Sequence, residues 1–348
     1  ETQLKELDKK APPPAPTAMA AREAPQIDDC QICIRGEIKI RGRKVQRGFL
    51  QVASDSGVRI DNPEQSGRLE LADWIARPDH PLTARVIVNR IWQNVLGEGI
   101  VRTVDNFGHL GERPSHPALL DTLAVEFVEH GWSVKSLVRQ LVLSRTYRQS
   151  SRHDEAAFEA DPDNRLLWRA HRKRLPAEAL RDSLLAISGQ LDLTPGESAV
   201  AGLGYLAIAN NNQSESGRKT DIQRRSVYLP IIRNELPPFL TVFDFADPDV
   251  VTGRRSETNV PAQALFLLND AFVKKQAEAT VERLMEVEAE SKRIETAYRL
   301  ILCRAPAEAE IERAAAFVGA VAKDQSPEEA WRQLVQALIA STEFRLLN

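Results

Sequence analysis

The chain has 348 residues, 43% of them hydrophobic and 27% charged, a balance that belongs to folded proteins and excludes disorder throughout. That length admits one large domain or two of ordinary size. Its 46 basic and 49 acidic side chains leave a formal charge of −3, so no global field draws it to nucleic acid or to an anionic membrane, and any anion site must be local.

The N-terminus is charged (Glu1, Lys5, Glu6, Asp8, Lys9, Lys10) and carries no apolar signal core. It starts without Met and reads as an internal start within something longer. The proline run at residues 12–16 cannot sustain a helix, because proline lacks the amide donor and crowds the preceding turn. Residues 1–26 are therefore expected to be a Pro-rich linker or strap.

Over residues 27–65 the period is two. Cys30, Ile32, Ile34, Ile38 and Ile40 alternate, with Gly36 and Gly42 as punctuation, which predicts a small β-meander. From Gly67 the period becomes helical. Thr83 opens a helix to Leu96 that Gly97 closes; Ser115 with Pro117 opens another that stops at Gly131; Ser133 opens a third; and residues 177–187 form a fourth before Gly189. These make a first helical lobe over 66–192.

Residues 193–224 turn polar and Gly/Pro-rich, a surface excursion. A short strand is expected at 226–232, followed by helices near 261–286, 291–303, 307–323 and 327–341 in a second lobe, 225–348. The stretch 137–148, ending Ser144-Arg145-Thr146-Tyr147-Arg148, aligns with 334–345, ending Ser341-Thr342-Glu343-Phe344-Arg345, a weak internal repeat. The expected fold is mainly α, a multi-helix domain with a small N-terminal β-meander and one further short strand, its two lobes forming one compact unit. No apolar run approaches the roughly 20 residues of a bilayer span, residues 262–268 being among the longest.

Several ordered blocks carry a family resemblance. Gly67-Arg68-Leu69-Glu70-Leu71-Ala72-Asp73-Trp74-Ile75, Asn89-Arg90-Ile91-Trp92, Asp105-Asn106-Phe107-Gly108, His116-Pro117, Gly131-Trp132-Ser133, Ser144-Arg145-Thr146-Tyr147-Arg148, Arg181-Asp182, Arg224-Arg225-Ser226-Val227-Tyr228 and Phe243-Asp244 follow one another as in that family. The text resembles the planctomycete-specific domain that accompanies cytochrome c modules, domain of unknown function 1553, over roughly residues 12–348. The resemblance implies an exported protein, periplasmic or extracellular, with upstream cytochrome c and companion domains as partners. It establishes no activity. Cys30-Gln31-Ile32-Cys33 is followed by Ile34 rather than histidine, so no haem-attachment motif is present and no cofactor is expected in this part of the chain.

The pair Cys30 and Cys33 has redox spacing on a strand pattern, where positions three apart face opposite sides, and ordinary packing is the expectation; Cys303 is expected in the core. The helix 83–96 is apolar nearly all round, so Arg85, Asn89 and Arg90 are expected in or near the interior, with Asp105, Asp121 and Asp182 as partners. Arg181 and Asp182 share a polar stripe with Glu178 on the later helix, and Arg172-Lys173-Arg174, Arg224-Arg225 and Arg254-Arg255 supply basic clusters. The candidate constellation is Arg85, Asn89, Arg90, Asp105, His116, Asp121, Arg181, Asp182, Arg225 and Arg255. Its bland reading is a structural Arg–Asp network. Its sharper reading is a cleft whose guanidinium forks hold a carboxylate or sulfate.

His109, His116, Asp105 and Asp121 are metal-type ligands, but their spacing matches no zinc signature and no metal is assigned. Aromatics do not interleave with the basic clusters, so nucleic acid is not expected. The P-loop, dinucleotide, Gly-x-Ser-x-Gly and His-Glu-x-x-His signatures are missing. Two functions stay open at this stage: a non-catalytic interaction or scaffold module, and an enzyme or binding module for anionic or sulfated polysaccharide, with a redox step fed by the upstream cytochrome.

Overall fold

The computed structural model describes residues 21–53, 60, 64–195, 223–229, 231 and 236–347; the proline run at 12–16 and residues 196–222 of the polar excursion lie outside the described residues. Two compact units are present, Glu1–Ile87 and Val88–Asn348.

In the first unit, β1 (Gln31–Cys33) and β2 (Arg41–Lys44) pair antiparallel, with Gln31 opposite Lys44 and Cys33 opposite Arg41. The predicted meander is thus a single hairpin among the described residues. A 3-10 turn at Ile34–Gly36 follows β1, with Arg35 and Gly36 both left-handed. Helix α1 (Arg68–Ala76) begins after Gly67, whose φ of 89° is the left-handed conformation that glycine adopts freely; a Cβ there would also fall 2.4 Å from the tip of the Ile60 side chain. Its Trp74 is buried, stacked on Phe49 at 5.1 Å and met edge-on by His80. His80 Nδ1 in turn accepts the Thr83 N–H at 3.1 Å, satisfying one orphan donor at the start of α2 (Thr83–Leu96). The boundary between the units falls inside α2.

The second unit continues with α3 (Pro117–Glu129), α4 (Val134–Leu143), α5 (Glu155–Ala160), β3 (Lys173–Arg174) and α6 (Ala177–Ile187). After the excursion come α7 (Pro238–Val242), α8 (Pro261–Asn269), α9 (Ala271–Met285), α10 (Glu290–Leu302), α11 (Glu308–Val321), α12 (Pro327–Ala340), α13 (Thr342–Arg345) and β4 (Leu346–Leu347). Of the start signals read, Ser133 Oγ accepts from Ser136 and Pro117 sits in a first turn where no N–H is needed, while the N-cap before Pro117 is His116 rather than Ser115 and makes no side-chain cap. Ser326 Oγ also accepts from Glu329, and Pro261 and Pro327 likewise occupy first turns. One core joins Leu180 and Leu184 of α6 to Leu240, Phe243, Leu267, Leu284, Ile294, Val335 and Ile339, with α12 packed on both α9 and α11.

The mainly α architecture with a small hairpin matches expectation, and four details depart from it. The described residues of the expected strand at 226–232 include a 3-10 turn at Ser226–Tyr228, while the further strand pairing is β3 with β4, Arg174 opposite Leu346. The helix expected over 261–286 is two, because Asp270 leaves helical geometry and its Oδ1 accepts from Phe272 and Val273 to start α9. Arg90 lies exposed rather than interior, since α2 buries Val88, Asn89, Trp92 and Leu96 and turns Arg90 outward. Cys303 is exposed, not core: it takes the left-handed position that ends α10, with φ 57°.

The candidate binding cleft

The end of α2, with Gln93, Asn94 and Gly97, and three later stretches of the second unit converge on an open cleft of about 820 Å³. One is β3 running into α6, which contributes Lys173, Arg174, Glu178 and Asp182. A second is the segment around the Ser226 turn, with Arg225, Val227, Leu229 and Ile231, and the third runs from Phe243–Phe245 to residues 252–257. Glu178 and Asp182 are four apart on α6, so both carboxylates face the cleft while Leu180 and Leu184 turn to the core.

Each of these carboxylates is engaged. Asp182 Oδ1 accepts the Ser226 N–H at 2.7 Å and its hydroxyl at 2.6 Å. Beneath it Arg181 is buried, donating to the Arg224 carbonyl and to Ser226 Oγ, with its guanidinium 5.4 Å from the Phe272 ring. Glu178 accepts from Arg255 at 2.7 Å, and that guanidinium lies 4.6 Å over Phe245. Asp244, held left-handed at φ 58°, accepts from the Thr258 N–H and hydroxyl and faces Arg174 at 2.8 Å. Burial pushes the Asp244 carboxyl up, but the Thr258 hydrogen bonds and the Arg174 charge outweigh it and hold it below the usual carboxylate range.

The cations differ in how firmly they are held. Arg174 is 8% exposed and donates to the carbonyls of Thr258 and Phe243 as well as to Asp244. Lys173 donates to the carbonyls of Asn94 and Val95 in the last turn of α2, neutralising that helix end, and burial pushes its amine down despite Glu257. Arg254 pairs with Glu98 at 2.5 Å. Arg225 is the loosest: its side chain is 57% exposed and meets Asp182 only at 3.9 Å.

Of the residues singled out from sequence, Asp182, Arg225 and Arg255 line this cleft and Arg181 lies under it. Asp105 stands beside it, accepting the N–H of the cleft residue Gly253 at 2.7 Å and meeting Arg90 at 3.4 Å. A Cβ at Gly253 would fall 2.1 Å from Asp105 Oδ1, so only glycine permits that approach. Asn89 is structural: fully buried, it donates to the Val101 carbonyl at 2.9 Å and accepts the Val101 N–H at 2.8 Å. Arg85 belongs to the first unit and donates to the Pro81 carbonyl. Asp121 lies exposed on α3.

His116 precedes α3, with Nδ1 2.9 Å from Ser115 Oγ, and lines a separate void of about 10 Å³ with Glu98, Arg102, Asn164 and His171. Burial pushes the His171 imidazole down, against the raising influence of Glu98. Glu98 Oε2 is buried without a hydrogen bond, Arg102 Nε standing off at 3.6 Å. Among the described residues no group of three His, Cys, Asp or Glu side chains is arranged to hold a metal ion, and the His109, His116, Asp105 and Asp121 grouping does not form one. No helix of the described residues is long and apolar enough to cross a membrane.

The pair Arg174 and Asp244, central to the cleft floor, was not in the constellation drawn from sequence. Its signal is Asp244 itself, a carboxylate between Phe243 and Phe245 in a run that also holds Phe239, Leu240 and Val242. Such a charge requires a partner.

Fold and cleft together define a mainly α-helical protein with a charge-lined open site. The chain belongs to the PSD1 family, proteins of unknown function (DUF1553), whose family model matches residues 67–318. Neither a curated protein nor a solved structure matches it.

Proposed function

We propose that the chain is a non-catalytic interaction module whose cleft receives an anionic group of a partner, the class best fitted being an acidic or sulfated oligosaccharide. The observation that carries this reading is Arg225, a guanidinium more than half exposed at the cleft wall, whose nearest carboxylate among the described residues stands at 3.9 Å. A carboxylate or sulfate matches that fork and forms a charge-assisted pair. Binding rather than turnover is favoured because three of the four carboxylates lining the cleft, Glu178, Asp182 and Asp244, are held by Arg255, Ser226 and Arg174, and the fourth, Glu257, is exposed to solvent. A general acid needs a carboxyl kept protonated near neutral pH, and Asp244 is shifted the opposite way.

The wider setting, an exported protein working beside a cytochrome c module, draws on the family resemblance. The enzymatic alternative, breakdown of anionic polysaccharide, has one observation on its side: the amine of Lys173, pushed down by burial at the cleft edge, is the kind of group that serves as a base. Titration calorimetry with sulfated, carboxylated and neutral oligosaccharides of equal length tests the main reading. Binding of the anionic members alone, weakened about three- to tenfold by Arg225→Ala, supports it. Equal binding of neutral and anionic members overturns it, and release of shorter sugars would move the assignment to the enzyme.

A further inference from the structure

Behind Arg174 of the cleft floor lies a second buried guanidinium, one that does not itself line the cleft. Arg345, at the end of α13, is 6% exposed, and the β3–β4 pairing sets it beside Arg174, its carbonyl accepting the Leu175 N–H at 2.7 Å. The two guanidiniums share one polar knot: Arg174 and Thr258 hold Asp244, Gln263 donates to Thr258 Oγ1 and to the Val242 carbonyl, and Gln263 Oε1 accepts from Arg345 at 3.4 Å. Within this knot Asp244 is the only carboxylate among the described residues, and it is already engaged by Arg174 and Thr258.

Arg345 is thereby left poorly satisfied. Arg174 has three acceptors, whereas Arg345 has one long hydrogen bond to an amide and no carboxylate within ion-pair distance among the described residues. The Nε atoms of both arginines are buried with no acceptor. A purely structural role would be met by well-bonded carbonyls, as it is for Arg293, which donates to the carbonyls of Leu284 and Val287. An uncompensated guanidinium out of water is instead costly, and an anion is what removes that cost. Burial and the neighbouring Arg174 both push the Arg345 guanidinium down, the direction expected of a cation missing its counter-charge.

We propose that an oxyanion, a carboxylate or sulfate group entering from the cleft at Arg174, completes this knot by pairing with Arg345 and Arg174. This rests on the binding reading above and deepens it, placing the anionic group behind the floor at Arg174 and leaving Arg225 to hold the ligand at the wall. The oxyanion is either the charged group of the cleft ligand or a free ion that sets the floor before the ligand arrives.

The test is thermal unfolding of the full chain with millimolar sodium sulfate or sodium acetate at matched ionic strength, followed by calorimetry with the anionic oligosaccharide. The expected result is a saturable rise in melting temperature that is absent from Arg345→Met. Gln263→Glu supplies an internal carboxylate and should also lose the response, which keeps the test valid where Arg345→Met does not fold. An equal saturable rise in either variant, or none in the wild type, overturns the proposal. A sugar that binds the wild type and is weakened about tenfold by Arg345→Met identifies the ligand's own group as the oxyanion. Sugar binding unchanged in that variant, with sulfate still acting through Arg345, identifies a free ion. Sulfate acting through Arg345 while no sugar binds sustains this site and defeats the oligosaccharide reading.

Discussion

At position 89 an amide lies fully buried on a helix that is otherwise apolar on that face, because both ends of its side chain close on the backbone of Val101. A leucine there would keep the branched shape, though bulkier, and leave the Val101 N–H and carbonyl without partners. Asn89→Leu is expected to lower stability by roughly 2–4 kcal/mol, read as a fall in denaturant midpoint with an unchanged slope. Arg225→Ala is the opposite case, an exposed side chain with one distant carboxylate among the described residues, and should leave stability within about 0.5 kcal/mol while lowering anion affinity. The importance of Asn89 was legible in sequence, since a polar residue amid Val86, Ile87, Val88, Ile91 and Trp92 must be satisfied internally. That Arg90, one residue on, points to solvent was not, because the run of apolar neighbours hides which stripe faces the core.

The elements themselves were legible wherever a local signal acts at short range. Both ends of the weak repeat finish alike: Ser144 Oγ accepts the Tyr147 N–H, and Ser341 Oγ accepts the Phe344 N–H. What the pattern hides is pairing at long range, as with β3 and β4, two-residue strands about 170 positions apart with no alternation to announce them. The same limit hides the knot between α10, α11 and α13, where Arg304 forks to Glu310 at 2.7 Å and to Glu343. Hydrogen bonds from Arg304 and from the Ala307 N–H hold the Glu310 carboxyl down at about 2, from an ordinary 4.5. A depressed folded value stabilises fully above the unfolded value and loses that contribution as pH falls from about 4.5 toward 2. Because Arg304 is about a third exposed, solvent screening keeps the contribution small. Glu310→Gln should therefore cost about 1 kcal/mol at pH 7 and give a flatter decline in melting temperature between pH 4.5 and 2.

Across the molecule, the near-balance of 46 basic and 49 acidic residues says nothing about where charge is concentrated, and only the fold gathers Lys173, Arg174, Arg225, Arg254 and Arg255 around one opening. Sequence supplied the doublets; their convergence depends on β3, the Ser226 turn and the 252–257 segment meeting, which no local period encodes. That arrangement makes salt a discriminating probe, because the Debye length falls from about 10 Å at 0.1 M to about 3 Å at 1 M and screens exposed charges far more than buried ones. Affinity for an anionic oligosaccharide should fall about tenfold between roughly 0.05 and 0.5 M sodium chloride if the wall guanidinium of Arg225 contributes as proposed. Over the same range the effect of Arg225→Ala should shrink toward none, since salt removes what the variant removes. The effect of Arg345→Met should persist, because its guanidinium is 6% exposed and its pairing is sheltered from the bulk ions. Calorimetric titrations of the wild type and both variants at the two salt concentrations check this. A parallel collapse of both variant effects would place Arg345's contribution at the surface and refute the buried oxyanion site.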